Sequence, residues 1–179
     1  MTPLEEVLAG REERAAWQRR WLSIKNAKGR SAYFICQIGL NIPGFPKRAP
    51  NDYDVINMCK KLLVAHANAK TREERFLENG AGVCWQGAFD AATQSASNLK
   101  RIAIDAENRM TAGRILDIDI ITEEGPVSRK EMGLAERRCL LCGENAKVCA
   151  RLGSHSLEEL HELAIREINR AAAEIRNIK

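Results

Sequence analysis

The sequence predicts an α+β fold: a single domain, residues 1–179, in which a small and mainly antiparallel sheet carries several helices. Three observations predict it. The chain has 179 residues, 45% of them hydrophobic and 29% charged, which is enough apolar material to bury a core without disulfides or metals. Helix-like and strand-like segments are interleaved, but without the regular βαβ spacing that builds a parallel sheet. No linker or internal repeat divides the chain. The string REER occurs at Arg11–Arg14 and at Arg72–Arg75, but the flanks do not match.

The elements follow in order. Thr2 suits an N-cap, Pro3 the first helical position and Glu5 the acid of a capping box. Val7, Leu8, Ala15, Trp17, Trp21, Leu22 and Ile24 then recur at roughly helical spacing. A turn over Asn26–Arg30 leads to a strand, Ala32–Leu40, rich in Ile and aromatics. The stretch NIPGFPKRAP holds three prolines and a glycine and must be a rigid loop. Helix returns over Asp52–Ala69, with Val55, Met58, Cys59, Leu62, Leu63 and His66 on one side. Two strands around Arg75–Glu78 and Val83–Phe89 are joined by NGAG, a hairpin signal. Asp90 is placed to cap a helix running to Asn108. After Thr111-Ala-Gly113, the segment Arg114–Thr122 (RILDIDIIT) is the best strand in the sequence, and Glu123–Pro126 turns out of it. A cysteine-bearing segment spans Cys139–Cys149. The chain closes with an amphipathic helix, Ser156–Ile178, whose stripe is Leu157, Leu160, Ala164, Ile168, Ala171, Ile175 and Ile178.

Composition narrows the function. It excludes a disordered or fibrous chain, and 5% aromatics argue against a stacking platform for single-stranded nucleic acid. The net charge of +4 is mild. The basic excess lies in the first fifty residues and the remainder is nearly balanced, so no nucleic-acid partner is expected. Nor is a membrane: the longest uncharged stretch, Ser31–Pro46, is interrupted by Gln37, Asn41 and Pro43 and is too short to cross a bilayer. The opening MTPLEEVLAGREER has early acids and no apolar signal core. A soluble, cytoplasmic protein is expected, whose six cysteines are thiols, metal ligands or catalytic groups before they are disulfides.

Asp117 and Asp119 are the leading chemical candidates. In a strand, residues i and i+2 share a face, so the carboxylates lie about 7 Å apart, with Leu116, Ile118 and Ile120 on the opposite, core face. Two neighbouring aspartates repel, and strands disfavour them. A Mg²⁺ ion between them removes the repulsion and gains oxygen ligands. Such pairs hold Mg²⁺ on substrate phosphates in phosphoryl and nucleotidyl transfer. The plain alternative is a solvent-facing strand with two charges. Arg109, Arg114, Arg129, Lys130, Arg137, Arg138 and Arg151 cluster around this strand in sequence. Arginine grips phosphate bidentately, although seven acids in the same stretch allow an ion-paired surface instead. The proline-stiffened loop offers Asn41, Gly44 and Lys47 to an anion, or is a connector.

Cys139, Cys142, Cys149 and His155 have the residue types of a structural Zn²⁺ site. The gaps to Cys149 and His155 are not standard finger spacings, and buried thiols or a redox role remain open. Cys149 is expected in a short helix with Val148. His66 reads as a core histidine and His161 as a surface one. Gly80-Ala-Gly82 with Gly87 is not a dinucleotide fingerprint.

Together the segments REERAAWQ, NIPGFPK, GRILDIDII, SRKEMG, RRCLLCGENAKVCAR and HSLEEL resemble the citrate lyase holo-acyl-carrier-protein synthase family, also called apo-citrate lyase phosphoribosyl-dephospho-CoA transferase. The run from Gly113 to Leu160 is the most specific part. The resemblance implies that a serine hydroxyl of an apo acyl-carrier protein, the γ subunit of citrate lyase, attacks triphosphoribosyl-dephospho-CoA. The prosthetic group is joined through a phosphodiester and pyrophosphate departs. On this reading Asp117 and Asp119 hold Mg²⁺, Arg114 and Arg129 grip the triphosphate with Arg138 beside them, and Lys47, with Asn41 and Gly44, holds a further phosphate. In the common nucleotidyltransferase signature a Gly-Ser turn precedes the Asp pair by a longer stretch. Here Gly113 stands only four residues before Asp117, so spacing alone does not establish a nucleotidyltransferase-like fold. The competing expectation is a non-catalytic, zinc-stabilised adaptor whose terminal helix binds a protein partner.

Overall fold

The computed structural model describes residues 1–177. Its elements are α1 (Pro3–Leu22), β1 (Tyr33–Leu40), α2 (Asp52–Ala67), β2 (Thr71–Asn79), β3 (Gly82–Asp90), α3 (Ala96–Arg109), β4 (Leu116–Thr122), β5 (Gly125–Pro126), α4 (Ala146–Leu152) and α5 (Leu157–Asn177). The strands form one sheet in the order β2-β3-β1-β4-β5. Every pairing is antiparallel, as expected for an α+β chain. No helix among the described residues is long and apolar enough to cross a membrane.

The two faces of the sheet are covered unequally. Phe34, Cys36 and Ile38 of β1, Val83, Trp85 and Phe89 of β3, and Leu116, Ile118 and Ile120 of β4 point into the main core. There they meet Val55, Ile56, Cys59 and Leu63 of α2, Leu99 and Ala103 of α3, and Ala164, Ile168 and Ala171 of α5. Among the described residues, the one helix on the opposite face is α1, through a small cluster of Trp17 and Trp21 against Ile35 and Ala88. The capping box at Thr2 and Glu5 forms as expected, but the apolar stripe of α1 is thin: Leu4 and Leu8 are exposed, and so is Ile24 beyond the helix end.

Several boundaries differ from the sequence reading for local reasons. Asp90 does not cap α3. It stays paired with Tyr33 at the end of β3, its Oδ1 accepts from the Ala92 amide at 2.8 Å, and Ser95 is the N-cap. Residues 114 and 115 do not start β4, because the amides of Ile115 and Leu116 still turn back to the Ala112 carbonyl. His66 is exposed rather than in the core, since the buried stripe of α2 ends at Leu63. His161 is half-buried, its Nδ1 at 2.7 Å from the Pro43 carbonyl. Ile178, expected in the stripe of α5, lies outside the described residues.

The edge of the sheet at β4 is closed by side chains. Ile118 turns its backbone groups away from β1: Lys100 Nζ donates to its carbonyl at 2.7 Å, and its amide donates to Glu107 Oε1 at 3.4 Å. The Val127 amide donates to the Ile120 carbonyl at 2.8 Å. Lys100 and Glu107 of α3 are both buried, which is tolerable for charged groups only because they are paired in this way. The other edge, β2, carries Arg72, Glu73, Glu74 and Glu78 in exposed positions, a charged edge that discourages further strand pairing.

Candidate active site

Asp117 and Asp119 project from β4 on the face that α1 covers, with Leu116, Ile118 and Ile120 turned into the main core. Their partners on β1 leave space: Gly39 stands opposite Asp117 and Gln37 opposite Asp119. A polar row crosses the sheet toward them. Arg75 donates to Gln86 Oε1 at 3.0 Å from Nε and 2.9 Å from Nη2. Gln86 Nε2 donates to Gln37 Oε1 at 2.9 Å, and Gln18 Nε2 of α1 donates to the same oxygen at 3.0 Å. A satisfied chain of this kind fixes the side chains it contains, so Gln37 is held in place beside Asp119.

The two carboxylates are not equivalent. Asp117 Oδ1 accepts from Arg137 Nη1 at 3.2 Å. Asp119 accepts no hydrogen bond from any described residue, and burial, reinforced by the charge of Asp117, pushes its carboxyl up to about 6. Lys100 and Arg137 oppose that shift. Beneath the pair lies Glu107, almost fully buried, which accepts from Arg137 Nη2 at 2.6 Å and pairs with Arg129. Glu107 therefore clamps two arginines of the segment after β5 against the strand that carries the aspartates.

Two clefts meet at the aspartate pair. The first, of about 300 Å³, lies under α1 and is lined by Arg11, Arg14, Gln37, Asn41 and Lys47. Arg14 is anchored by Nη2, which donates to the Ala81 and Gly82 carbonyls at 2.8 Å each. Its Nε is buried without a partner among the described residues. Lys47 Nζ donates to the Ile42 carbonyl at 2.7 Å. The second cleft, of about 580 Å³, lies under the segment after β5 and is lined by Lys100, Ser128, Arg129, Lys130, Arg137 and Lys147.

Thus Asp117, Asp119, Lys47 and Asn41 share one cleft, and Arg129 lies in the other, engaged with Glu107. The remaining expected contacts lie elsewhere. Arg114 donates to the Cys139 and Arg138 carbonyls. Arg138 is exposed and lines a third cavity of about 450 Å³ beside the cysteines. Gly44, at φ 76°, packs near Leu157 and His161 of α5. Cys139, Cys142, Cys149 and His155 do come together, and Cys149 lies in α4 with Val148, as expected.

Sequence reasoning missed Arg11, Arg14, Gln37, Lys100 and Glu107, and did not single out Arg137 from the basic cluster. Some signals were present. Gln37 and Gln86 interrupt otherwise apolar strands, and Lys100 and Glu107 are charges two helical turns apart on an apolar face.

The model of the family apo-citrate lyase phosphoribosyl-dephospho-CoA transferase matches residues 2–171. The chain belongs to that family. Similar proteins include the apo-citrate lyase phosphoribosyl-dephospho-CoA transferase of Citrobacter koseri, 32% identical over 161 residues, 88% of this chain and 83% of that one. The protein of the same name from Escherichia coli shows the same identity and coverage. The chain is also similar to Protein CitXG of Leuconostoc mesenteroides subsp. cremoris, 30% identical over 162 residues, which are 87% of this chain but 32% of that longer protein. Membership of a transferase family does not favour the non-catalytic adaptor.

Proposed function

We propose that this chain transfers the phosphoribosyl-dephospho-CoA group from triphosphoribosyl-dephospho-CoA to a serine of the apo acyl-carrier protein of citrate lyase. The observation that carries the reading is the aspartate pair at the junction of two basic clefts, in a chain of this family. The serine oxygen bonds to the phosphorus next to the ribose, the bond from that phosphorus to the pyrophosphate oxygen breaks, and the serine proton leaves to solvent. The chemistry is nucleotidyl transfer in type.

Asp117 and Asp119 would hold Mg²⁺. Their oxygens suit a hard cation, Asp119 has no hydrogen-bond donor to lose, and a cation relieves the repulsion that raises its carboxyl. Bound there, the ion supplies charge neutralisation for the phosphates. The narrower cleft under α1 suits the triphosphate: Arg11, Arg14 and Lys47 line its wall. Cations so placed take up the charge that develops on departing pyrophosphate. Arg137, held by Glu107, keeps a positive charge beside Asp117 and the reacting phosphate. Arg129 and Arg114 act one step back, by fixing the segment that presents Arg137. The wider cleft leaves room for the dephospho-CoA portion and the incoming carrier serine.

Incubation of the protein with Mg²⁺, triphosphoribosyl-dephospho-CoA and apo carrier protein should add one prosthetic group to the carrier, read by intact-mass spectrometry, with pyrophosphate formed in equal amount. Alanine at the carrier serine should abolish the shift. Asp117→Asn and Asp119→Asn should each slow transfer by roughly two to three orders of magnitude, the loss of one ligand to a phosphate-bound metal. An unchanged carrier mass with binding retained would overturn the transferase reading. Activity within threefold of the parent in both aspartate variants would overturn the metal pair.

A further inference from the structure

We propose that Cys139, Cys142, Cys149 and His155 form a closed, structural Zn²⁺ site that pins the segment carrying Arg137 to the rest of the fold. The three thiol sulfurs and a ring nitrogen of His155 all lie within 4.8 Å of one another. Cys142 Sγ is 3.5 Å from Cys149 Sγ and 3.2 Å from His155 Nε2. Around a tetrahedral zinc, bond lengths of about 2.3 Å to sulfur and 2.0–2.1 Å to nitrogen require S–S separations of about 3.8 Å and S–N separations of about 3.6 Å. These two spacings are therefore a few tenths of an ångström from those of a loaded site, and none of the others exceeds 4.8 Å. All three cysteines are free thiols, so no disulfide holds them together.

The backbone is shaped for the same purpose. Cys139 and Cys142 stand at the Cys-x-x-Cys spacing at which a turn curls around a metal. Gly143 follows at φ 76°, in the left-handed region that favours glycine, and the Cys139 amide closes the loop on the Glu144 carbonyl at 2.5 Å. The isolated bridge between Arg138 and Asn145 forms the neck of this loop. Helix α4 then presents Cys149, and Gly153 at φ 59° reverses the chain so that His155 returns to the cluster.

The need for a cross-link is physical. Between Pro126 and Leu157 the only regular element is the short α4. Leu134, Leu141, Val148 and Leu152 in this stretch are all exposed, so the segment has little apolar core of its own. Segments too small to bury a core are commonly held by a structural metal. The other three cysteines lie outside the cluster. Cys36, Cys59 and Cys84 are buried at separate places in the sheet and α2. Three thiolates and one imidazole in tetrahedral array select zinc over magnesium or calcium, and four protein ligands leave no open position for catalysis. Arg137 and Arg138 directly precede Cys139, and Arg114 grips the Cys139 carbonyl. The metal's task is thus to position the arginine that touches Asp117.

Elemental analysis of the full chain, purified without chelator or affinity metal, should find about one zinc per chain. Replacing zinc by Co²⁺ should give the intense near-ultraviolet thiolate charge-transfer bands and visible d–d bands of a tetrahedral S₃N site. Cys142→Ser and His155→Ala should each lower metal content, and stripping zinc with a strong chelator should lower the melting temperature. Cys84→Ser, outside the cluster, should keep full occupancy. Zinc below about 0.2 per chain after reconstitution under reducing conditions would overturn the proposal, as would iron in its place, a disulfide between Cys142 and Cys149 in the fresh protein, or a melting temperature that chelation leaves unchanged.

Discussion

A carboxylate partly buried beside a second carboxylate resists ionisation, and Asp119, pushed up to about 6, shows that effect. In the unfolded chain an aspartate has a pKa of about 3.9, so the folded state binds the proton more tightly. The neutral form thus favours folding below about pH 4, and that contribution is lost as the pH rises through about 6. Asp119→Asn, neutral at every pH, should therefore melt roughly 2–6 °C above the parent at pH 8, after allowance for partial exposure, and level with it at pH 4. Mg²⁺ should raise the melting temperature of the parent at pH 8 and not that of the variant. Thermal melts at the two pH values check this, and a difference independent of pH would contradict it. The pair itself was legible in LDIDII, because alternation assigns each side chain to a face. Its surroundings were not. That Glu107 would reach Arg129 and Arg137, or that Lys100 would cap Ile118, depends on how α3 lies along β4, and no local pattern encodes that packing.

At the scale of elements, α1 was legible as a helix and illegible as the wall of a cleft. Capping residues announce where it starts, but its thin apolar stripe does not say which surface it meets. Docking depends on the backbone of the β2–β3 hairpin as much as on Trp17 and Trp21. Gly80 lies so close to α1 that an added Cβ would run into the carbonyl oxygen and Cβ of Glu6. Asn79 completes the seam, its Nδ2 donating to the Gly10 carbonyl at 3.1 Å and to Glu13 Oε2 at 2.8 Å. Gly80→Ala should cost about 1–3 kcal/mol through this overpacking, lower the melting temperature, and raise KM for the triphosphate more than it lowers kcat, because Arg11 and Arg14 shift with the helix. A calorimetric scan and steady-state kinetics test it; an unchanged melting temperature would mean that α1 yields freely at this contact. The strands and the remaining helices were read more fully, since their apolar patterns are long and strongly periodic. The segment after β5 carries charge and cysteines without period, and only its cysteine-histidine grouping and the short helix at Cys149 could be anticipated.

Taken as a whole, the molecule is asymmetric about its sheet: a deep core on one face, and on the other a single helix over a polar row and the narrower cleft. Stability should follow that division. Native-state hydrogen exchange should find the amides of α1 opening well below the global unfolding free energy, while those of β1 and β3 open only with it. A triphosphate bound between Arg11, Arg14 and the aspartates should slow exchange in α1 in particular; equal protection of α1 and β1 in the free protein would contradict the two-tier picture. The closed edges of the same sheet carry one further consequence. With β2 guarded by charge at one side, and the Ile118 backbone groups and the Ile120 carbonyl taken up by Lys100, Glu107 and the Val127 amide at the other, neither edge invites an additional strand. Lengthening of the sheet is therefore a disfavoured way to recruit a protein partner. On the proposed function the carrier would instead be read by its side chains, and its serine would reach Asp117 and Asp119 through the wider cleft, which calls for a substrate whose modified residue stands out on a narrow projection.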